Sequence, residues 1–294
     1  AFYRDVVSSG RLSLADARKL HGKDLSYNNL MDIDAAMEIV GEFQEPAACI
    51  VKHAVPCGVA AAVNIKDAFV NALDCDKLSA FGGIIGLNRI PDGPTAKEII
   101  KAGFLECIVA PGYNDKALKI LTGRKNLRIL QVKDLKKDTV SNAGLDIKKV
   151  AGGVLFQEKD EKDVDKKDLK VVTKKRLSAG ELESLYFAWK AVKHVKSNAV
   201  VLCRGKRTVG IGSGQMSRVD SVALAVKKAG KKAKNSVLAS DGFFPKPDSI
   251  KTAARAGISS IIQPGGSIAD PEIINAADKA GLNMVFTGIR HFKH

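Results

Sequence analysis

The pair Lys52-His53 combines two side chains that could act on a substrate. It follows an apolar run at residues 48–51 and precedes Pro56 and Gly58, a pattern that predicts a strand ending at the pair. A histidine at a strand end that faces a cleft can accept and release protons near neutral pH. The pattern therefore indicates a general base, and a histidine hydrogen-bonded within a structural turn is the alternative.

A glycine-rich stretch, residues 210–214, precedes a segment with helical spacing that starts near Arg218. Glycine lets a ligand approach the backbone closely, and a helix N-terminus favours negative charge, so the stretch indicates an anion site. Its spacing matches neither the dinucleotide-binding fingerprint nor the nucleoside-triphosphate loop. A tight turn that needs positive φ is the alternative interpretation.

Three segments near the C-terminus carry further candidates. Phe243 and Phe244 lie in a Gly/Pro-bounded loop, which predicts either an apolar slot for a flat ring or ordinary core packing. Residues 263–267 follow a predicted strand, where they would supply backbone donors or form a plain strand-to-helix turn. Arg290 follows a buried strand predicted at 284–286 and offers a bidentate contact to a phosphate or carboxylate.

These candidates must be positioned by strands and helices that alternate along the chain. Short β-rich apolar segments predict strands, and apolar residues at helical spacing predict helices. The predicted strands are 48–52, 83–87, 107–110, 199–203, 237–240 and 260–263, and the predicted helices are 32–40, 65–74, 94–102, 179–195, 219–228, 248–256 and 270–279. The alternation predicts a layered α/β fold.

The two halves of the chain repeat one order of features. Residues 52–112 and 198–265 each run through a strand, a turn, a helix, a serine-containing loop, a second helix, Ala-Gly, a strand and Pro-Gly. In the first half, 26 positions separate His53 from Ser79, and the second half has the same interval between its turn and its loop serine. The repeat predicts a duplicated α/β unit.

We therefore expect two related subdomains, at residues 1–160 and 181–294, joined by a charged linker at 161–180. In such a pair, the loops at the strand ends would surround a shared cleft, which is a common place for ligands in α/β proteins.

The composition is that of an ordinary globular chain with a basic surface. The 294 residues carry a net charge of +15 and are 45% hydrophobic, which excludes disordered and collagen-like classes. No apolar run approaches the ~20 residues of a membrane span. Basic residues concentrate at 133–137, 158–176 and 227–234, but aromatic residues make up only 5% of the chain, and the middle stretch carries both signs. We therefore expect no nucleic-acid partner, and the charge would steer an anionic small substrate.

The five cysteines form no Cys-x-x-Cys pair and are odd in number, which favours reduced thiols and a cytoplasmic protein over a disulfide framework or a zinc site. The chain starts with Ala1 rather than Met and shows no apolar signal core. We expect no targeting segment, and a start inside a longer gene product.

Taken together, these segments resemble the 5-aminoimidazole-4-carboxamide ribonucleotide (AICAR) formyltransferase domain of bifunctional purine-biosynthesis proteins. Each motif is common alone, but their order from residue 25 to the chain end is specific. The matching stretches are 25–29, Lys52-His53 with 56–58, 79–83, 196–198, 210–217 with Arg218, 240–245, 263–267, and 286–288 with 290–292.

The resemblance implies an α/β fold of two cytidine-deaminase-like three-layer subdomains. It implies transfer of a formyl group from 10-formyltetrahydrofolate to the 5-amino group of AICAR, in the route to IMP. The zinc signature of the deaminases is absent, because Pro56-Cys57 is followed by Gly58 rather than by a second cysteine at the required spacing. We therefore expect no catalytic metal; a structural monovalent cation stays open.

The resemblance also implies the catalytic residues Lys52, His53 and Asn198. His53 would remove the proton of the weakly nucleophilic amine, and Lys52 would stabilise the charged oxygen or protonate the leaving nitrogen. Asn198 would orient the formyl group while hydrogen-bonding His53.

The substrate contacts implied by the resemblance fall into two sets. The AICAR contacts are Gly82, Glu106, Lys125, Arg218, Arg290 and Phe292, and the folate contacts are Leu78, Val219, Phe243 and Pro245. The resemblance also implies a homodimer whose sites draw residues from two chains.

Two features of the family are not found in this sequence. A segment with a phosphate-binding arginine is expected just before Ala1, and the cyclohydrolase domain that closes the ring to IMP is also expected outside the chain. The alternatives to a formyltransferase are a deaminase-like hydrolase, which predicts bound zinc, and a basic RNA-binding module, which predicts salt-dependent RNA affinity.

Overall fold

The structure, a computed structural model, describes residues 14–133 and 145–294. Its strands are β1 (Arg18–His21), β2 (Ala47–Lys52), β3 (Val55–Ala61), β4 (Ile84–Leu87), β5 (Cys107–Ala110), β6 (Arg128–Gln131), β7 (Leu145–Val150), β8 (Gly153–Glu158), β9 (Lys170–Val171), β10 (Val200–Cys203), β11 (Thr208–Gly212), β12 (Val237–Ser240), β13 (Ser260–Gln263) and β14 (Asn283–Phe286). Its α-helices are α1 (Tyr27–Gly41), α2 (Ile65–Leu73), α3 (Lys77–Ala80), α4 (Gly93–Lys101), α5 (Asp115–Thr122), α6 (Ala179–Val192), α7 (Arg218–Ala229), α8 (Asp248–Arg255) and α9 (Asp270–Lys279).

Two six-stranded sheets have one and the same topology. The first has the order β3-β2-β4-β5-β6-β1 and the second the order β11-β10-β12-β13-β14-β9. In each sheet the hairpin and the far edge strand pair antiparallel, and the three strands between them run parallel to one another. The α/β class predicted from the sequence is confirmed, and the repeat in the sequence corresponds to this repeated sheet.

The apolar core forms three clusters that follow the layers. One face of each sheet packs against α1 and α6 in a single central cluster, in which the rings of Phe43 and Phe187 lie 4.9 Å apart. The outer face of the first sheet is covered by α2, α4 and α5, and that of the second by α7, α8 and α9. Because the central cluster draws on both sheets, the two halves share one core.

The two sheets also meet through their hairpin strands. The amide of Ala61 in β3 donates to the carbonyl of Lys206 (2.8 Å), and the amide of Val59 donates to Oγ1 of Thr208 (2.9 Å). These contacts join the end of β3 to the start of β11 in an antiparallel sense. The opposite ends of the two strands carry no such bonds in the described residues, so the joint lies far from the strand end at Lys52.

Helix α1 begins five residues before the predicted start at residue 32. Ser26 is its N-cap: its Oγ accepts the amide of Asn29, and the Asn29 side chain accepts the amide of Ser26 (both 3.1 Å). This reciprocal capping satisfies two amides that the first turn leaves unpaired. The polar first turn therefore hides a helix start that apolar periodicity alone does not reveal.

The glycine-rich stretch is mostly strand. Gly210 and Gly212 lie in β11, where an added Cβ would sit 2.2 Å from the carbonyl oxygen of Ala225 and 2.0 Å from that of Ser221, both in α7. Gly58 in β3 plays the same part against Ala72 of α2, at 2.0 Å. These glycines let a helix pack closely on a strand, so residues 210–212 do not form a turn, whereas Gly214, with φ of 67°, has the positive φ that the turn interpretation requires. The anion site stays a prediction.

The charged stretch near residues 158–176 is integrated into the fold. β9 lies within the predicted linker and pairs with β14, and Val164 is buried in the central cluster. Of the basic stretch 227–234, Lys228 forms an ion pair with Asp76 (2.9 Å) and Lys232 with Asp74 (3.1 Å). Residues 134–137 of the first basic stretch lie outside the described residues. No helix in the described part of the chain is long and apolar enough to cross a membrane.

Candidate active site

Lys52 and His53 form the end of β2, where the chain turns sharply into β3. His53 and Ala54 both have left-handed backbones, with φ of 55° and 59°. Asp32 of α1 accepts both of their amides, at 3.2 Å from His53 and 2.5 Å from Ala54. Nζ of Lys52 donates to the carbonyl of Phe81 (2.7 Å), and the imidazole of His53 is exposed to solvent. The predicted strand end and an accessible imidazole therefore occur together.

The neighbouring loops bring Gly82 and Glu106 to the same place. The amide of Gly82 donates to the carbonyl of Phe104 (2.8 Å), and the exposed rings of Phe81 and Phe104 are 5.5 Å apart. Oε2 of Glu106 accepts from the side chain of Asn29 (2.8 Å). We call Lys52, His53, Phe81, Gly82, Phe104 and Glu106 the lysine–histidine cluster.

Two predicted contacts lie at the edge of this cluster. Leu78 in α3 is 89% exposed and precedes Phe81. Lys125 lines an open cavity of about 160 Å³ together with Ile99, Phe104, Arg124 and Leu127. The lining of this cavity is mostly apolar and includes the basic residues Arg124 and Lys125, and the cavity shares Phe104 with the lysine–histidine cluster.

A second group is built around the buried guanidinium of Arg218, at the start of α7. Its Nη2 donates to Oδ1 of Asn198 (2.8 Å), and its Nη1 donates to Oγ of Ser240 (2.9 Å) and to the carboxylate of Asp241. The Asn198 side chain also donates to the carbonyls of Gln215 (2.8 Å) and Met216 (3.1 Å). The orientation of Asn198 is thus fixed by three hydrogen bonds.

Asp241 forms several of the hydrogen bonds that hold this second group together, and its side chain is fully buried. Besides Arg218, its carboxylate accepts from Oγ of Ser197 and from the amide of Ala199 (3.1 Å). Its backbone carbonyl accepts from the amide of His291 (3.0 Å). The carboxylate of Asp241 therefore connects the start of β10 with the start of α7, and its backbone carbonyl adds the C-terminal segment.

The C-terminal segment packs beside Asp241. The guanidinium of Arg290 is 5.1 Å from the ring centroid of Phe243, and a Cβ added to Gly242 would sit 2.8 Å from Cε1 of Phe292. His291 is buried, with its Nδ1 at 2.6 Å from Oδ2 of Asp160 and its ring 4.6 Å from that of Trp189. We call Asn198, Arg218, Asp241, Phe243, Arg290 and Phe292 the arginine cluster.

Strand directions place the two clusters on the same side of the molecule. The end of β2 coincides with the starts of β4 and β5, since β2 is antiparallel to β4 and β4 is parallel to β5. The arginine cluster lies at the start of β10 and the ends of β12 and β14. Because β3 and β11 meet in an antiparallel sense, both clusters occupy one edge of the paired sheets.

The surroundings of Asn198, Val219 and Pro245 place these three predicted site residues in the second half of the chain. Within the described part of the single chain, Asn198 forms hydrogen bonds with Arg218 and with two backbone carbonyls, and none with His53; the bond between Asn198 and His53 stays a prediction. Val219 follows Arg218 in the first turn of α7 and is half-buried, and Pro245 is exposed after the buried Phe244. Both lie beside the arginine cluster rather than beside Leu78.

Sequence reasoning missed Asp32 and Asp241 as parts of the site. Asp32 sits in a helix, 21 positions before His53, and nothing in its local sequence indicates that contact. Asp241 belongs to the 240–245 segment, in which Phe243 and Phe244 were the predicted candidates; an acidic residue directly after a predicted strand is the signal that indicates Asp241.

Metal-ligating side chains are not grouped here. Within residues 14–133 and 145–294, no three His, Cys, Asp or Glu side chains lie together in an arrangement that could hold a metal ion. All five cysteines are free and buried. Burial raises the pKa of the Cys49 and Cys57 thiols to about 12, so at neutral pH they are protonated and poor nucleophiles.

Comparison with known proteins shows the family. The AICARFT/IMPCHase bienzyme family matches residues 1–228 of this chain. The chain belongs to the AICARFT/IMPCHase bienzyme family. Three relatives, each named bifunctional purine biosynthesis protein PurH, come from Thermoanaerobacter sp. (53% identical over 295 residues), Acetivibrio thermocellus (50% over 293) and Bacillus subtilis (51% over 282).

These AICARFT/IMPCHase relatives are longer than this chain. The alignments cover 100%, 100% and 96% of the chain but 56%, 56% and 54% of the three relatives. The chain therefore spans about half the length of the family members that it matches.

Proposed function

We propose that this chain carries the formyltransferase activity of the family, moving the formyl group of 10-formyltetrahydrofolate to the 5-amino group of AICAR in purine biosynthesis. The observation that carries the proposal is the exposed imidazole of His53, held beside Lys52 at the end of β2. An aromatic amine is a weak nucleophile, so the reaction needs a base that accepts its proton as the carbon–nitrogen bond forms.

In this proposal His53 takes the amine proton as the amine nitrogen attacks the formyl carbon. The bond from that carbon to the folate nitrogen then breaks, and the nitrogen leaves with the proton that His53 had accepted, returned directly or through the Lys52 ammonium, so that formyl-AICAR and tetrahydrofolate are the products. Lys52 directly precedes His53 in the sequence, and its ammonium would stabilise the negative charge on the former formyl oxygen. Asn198 is rigidly oriented by its hydrogen bonds and would position the formyl group.

The substrate contacts follow the two clusters. Arg290 is exposed and stacked on Phe243, which suits it to a phosphate or carboxylate beside a flat ring. Lys125, which lines the open cavity, is a second anion contact. For the folate, exposed or half-buried apolar surface is available at Leu78, Val219 and Pro245.

The remaining site residues keep the roles that the resemblance implies. Gly82 and Glu106 of the lysine–histidine cluster, with Arg218 and Phe292 of the arginine cluster, contact AICAR. A homodimer with shared sites, a structural monovalent cation and a cytoplasmic location are part of the same proposal. The net charge of +15 would favour the approach of both anionic substrates.

The test is tetrahydrofolate formation from AICAR and 10-formyltetrahydrofolate, followed by absorbance. We expect turnover in the wild type and a loss of at least about 10²-fold in kcat for His53→Ala, the usual contribution of a general base. AICAR binding, measured by calorimetry, should persist in that variant. His21→Ala, which removes a histidine on the edge strand β1, is the matched control and should keep full activity.

Two other results would assign the chain differently. Conversion of formyl-AICAR to IMP without release of tetrahydrofolate would identify the cyclohydrolase half of the family's chemistry. Absence of both activities, with stoichiometric zinc in the purified protein or with RNA affinity that falls steeply with salt, would favour the hydrolase or the RNA-binding module.

A further inference from the structure

The turn that carries His53 has an unusual backbone. His53 and Ala54 are consecutive non-glycine residues with φ of 55° and 59°. L-residues with a Cβ avoid this region because the Cβ approaches the following carbonyl oxygen, and such residues persist only where their surroundings compensate. Asn235 is the other non-glycine residue with positive φ in the described part of the chain, and it stands alone.

The compensating group is the carboxylate of Asp32. Its two oxygens accept separate amides: Oδ2 accepts His53 (3.2 Å) and Oδ1 accepts Ala54 (2.5 Å). Successive amides in a left-handed turn converge on a concave site that suits an anion, and an ionised acceptor makes each bond stronger. The carboxylate therefore stabilises the conformation that the φ angles disfavour.

Asp32 is itself rigidly placed. It lies inside α1, and its neighbour Ile33 is fully buried in the central cluster. On the other side of the turn, Val51 is fully buried and the Lys52 ammonium is fixed on the carbonyl of Phe81. The turn is thus held on one side by the end of β2 and on the other by α1. The two hydrogen bonds to the Asp32 carboxylate stabilise its left-handed conformation.

We propose that Asp32 is the positioning residue for His53: its carboxylate holds the turn so that the imidazole projects from the end of β2 toward the substrate. The proposal rests on the proposed function of His53 as the base. Without the carboxylate, the two residues would return to ordinary φ values, and the imidazole would move relative to Lys52. A displacement of about 1 Å in a reacting group is enough to cost on the order of 10²-fold in rate.

The experiment compares Asp32→Ala with Asp34→Ala, an exposed carboxylate two positions further along the same helix. We expect kcat of Asp32→Ala to fall on the order of 10²-fold, with KM for AICAR changed less than about threefold, because the arginine cluster is untouched. Asp34→Ala should behave like the wild type. Asp32→Asn, which keeps one acceptor oxygen, should fall between the two.

A rescue separates positioning from general damage to α1. Glycine adopts positive φ without a penalty, so the double variant Asp32→Ala/Ala54→Gly should recover about tenfold of the kcat lost by Asp32→Ala. The variant Ala54→Gly alone provides the reference. Damage to the helix would not be repaired by a glycine in the turn.

The amide resonances of His53 and Ala54 give a readout that does not need turnover. Charged hydrogen bonds move amide protons downfield, so both resonances should shift upfield in Asp32→Ala and stay in place in Asp34→Ala. A folded Asp32→Ala protein with kcat within threefold of the wild type, or with unmoved resonances, would overturn the proposal. A wild type without formyltransferase activity would refute the proposed function, and the resonances would then decide the Asp32 contact by themselves.

Discussion

Replacing Asp241 with asparagine tests whether the arginine cluster depends on a buried charge pair. The side chains of Asp241 and Arg218 are 0% and 7% exposed, and asparagine has nearly the volume of aspartate, so no cavity forms. One oxygen remains to accept from Arg218 and from the amide of Ala199, and Oγ of Ser197 can accept from the new amide. What is lost is the negative charge opposite Arg218.

The cost follows from that uncompensated cation. Removing one member of a buried ion pair costs about 3–5 kcal/mol, because the other charge stays buried without its partner. A chain of this length has an unfolding entropy of about 0.6 kcal/mol/K, so Asp241→Asn should lower Tm by roughly 5–8 °C. The freed guanidinium would also loosen its hydrogen bond to Asn198, so under the proposed function KM for AICAR should rise.

The assay is thermal unfolding followed by far-ultraviolet circular dichroism at fixed pH. Asp168→Asn, an exposed aspartate, is the control and should change Tm by less than about 1 °C. The double variant Asp241→Asn/Arg218→Met should unfold at no lower temperature than Asp241→Asn, because it contains no lone charge. A Tm for Asp241→Asn within about 1 °C of the wild type would refute the reasoning.

Two further predictions concern pH and packing. Burial lowers the pKa of His194 below its ordinary value of 6.5, although Glu42 hydrogen-bonds to it (3.2 Å). Below pH 6.5 the unfolded chain therefore binds more protons than the folded chain, so Tm should fall as the pH drops. His194→Gln should make that fall less steep. A pH profile of Tm in His194→Gln equal to that of the wild type would contradict this prediction. Gly212→Ala places a Cβ 2.0 Å from the Ser221 carbonyl oxygen, whereas Gly214 has open space and φ of 67°. Thermal unfolding should show a larger loss for Gly212→Ala than for Gly214→Ala, and a reversed order would exclude the packing role of Gly212.

Local sequence pattern was sufficient for the elements that are apolar throughout. The strands predicted at 107–110, 237–240 and 260–263 have the same bounds in the structure, because each is buried on both faces and flanked by turn residues. The helix predicted at 270–279 is likewise found with the same bounds. The match to one family follows from the order of short motifs along the chain, which is a property of the sequence alone.

Local pattern failed where a residue type serves a distant contact. β3 and β11 contain Pro56, Gly58, Gly210 and Gly212, which indicate turns when read along the chain. The three glycines are explained only by the tertiary structure, because a helix backbone lies where their side chains would be. A charged stretch such as 161–180 has the composition of a solvated linker, yet part of it completes a sheet.

The sequence by itself determined the α/β class, the duplicated unit and the identities of Lys52, His53 and Asn198 as candidates. Tertiary structure alone decided how these groups are held: Asp32 fixes the turn of His53, and Asp241 with Arg218 fixes Asn198. Propensity and periodicity depend on neighbours within a few positions, whereas these hydrogen bonds join residues about 20 positions or more apart, which only the packing of α1, α7 and the two sheets brings together.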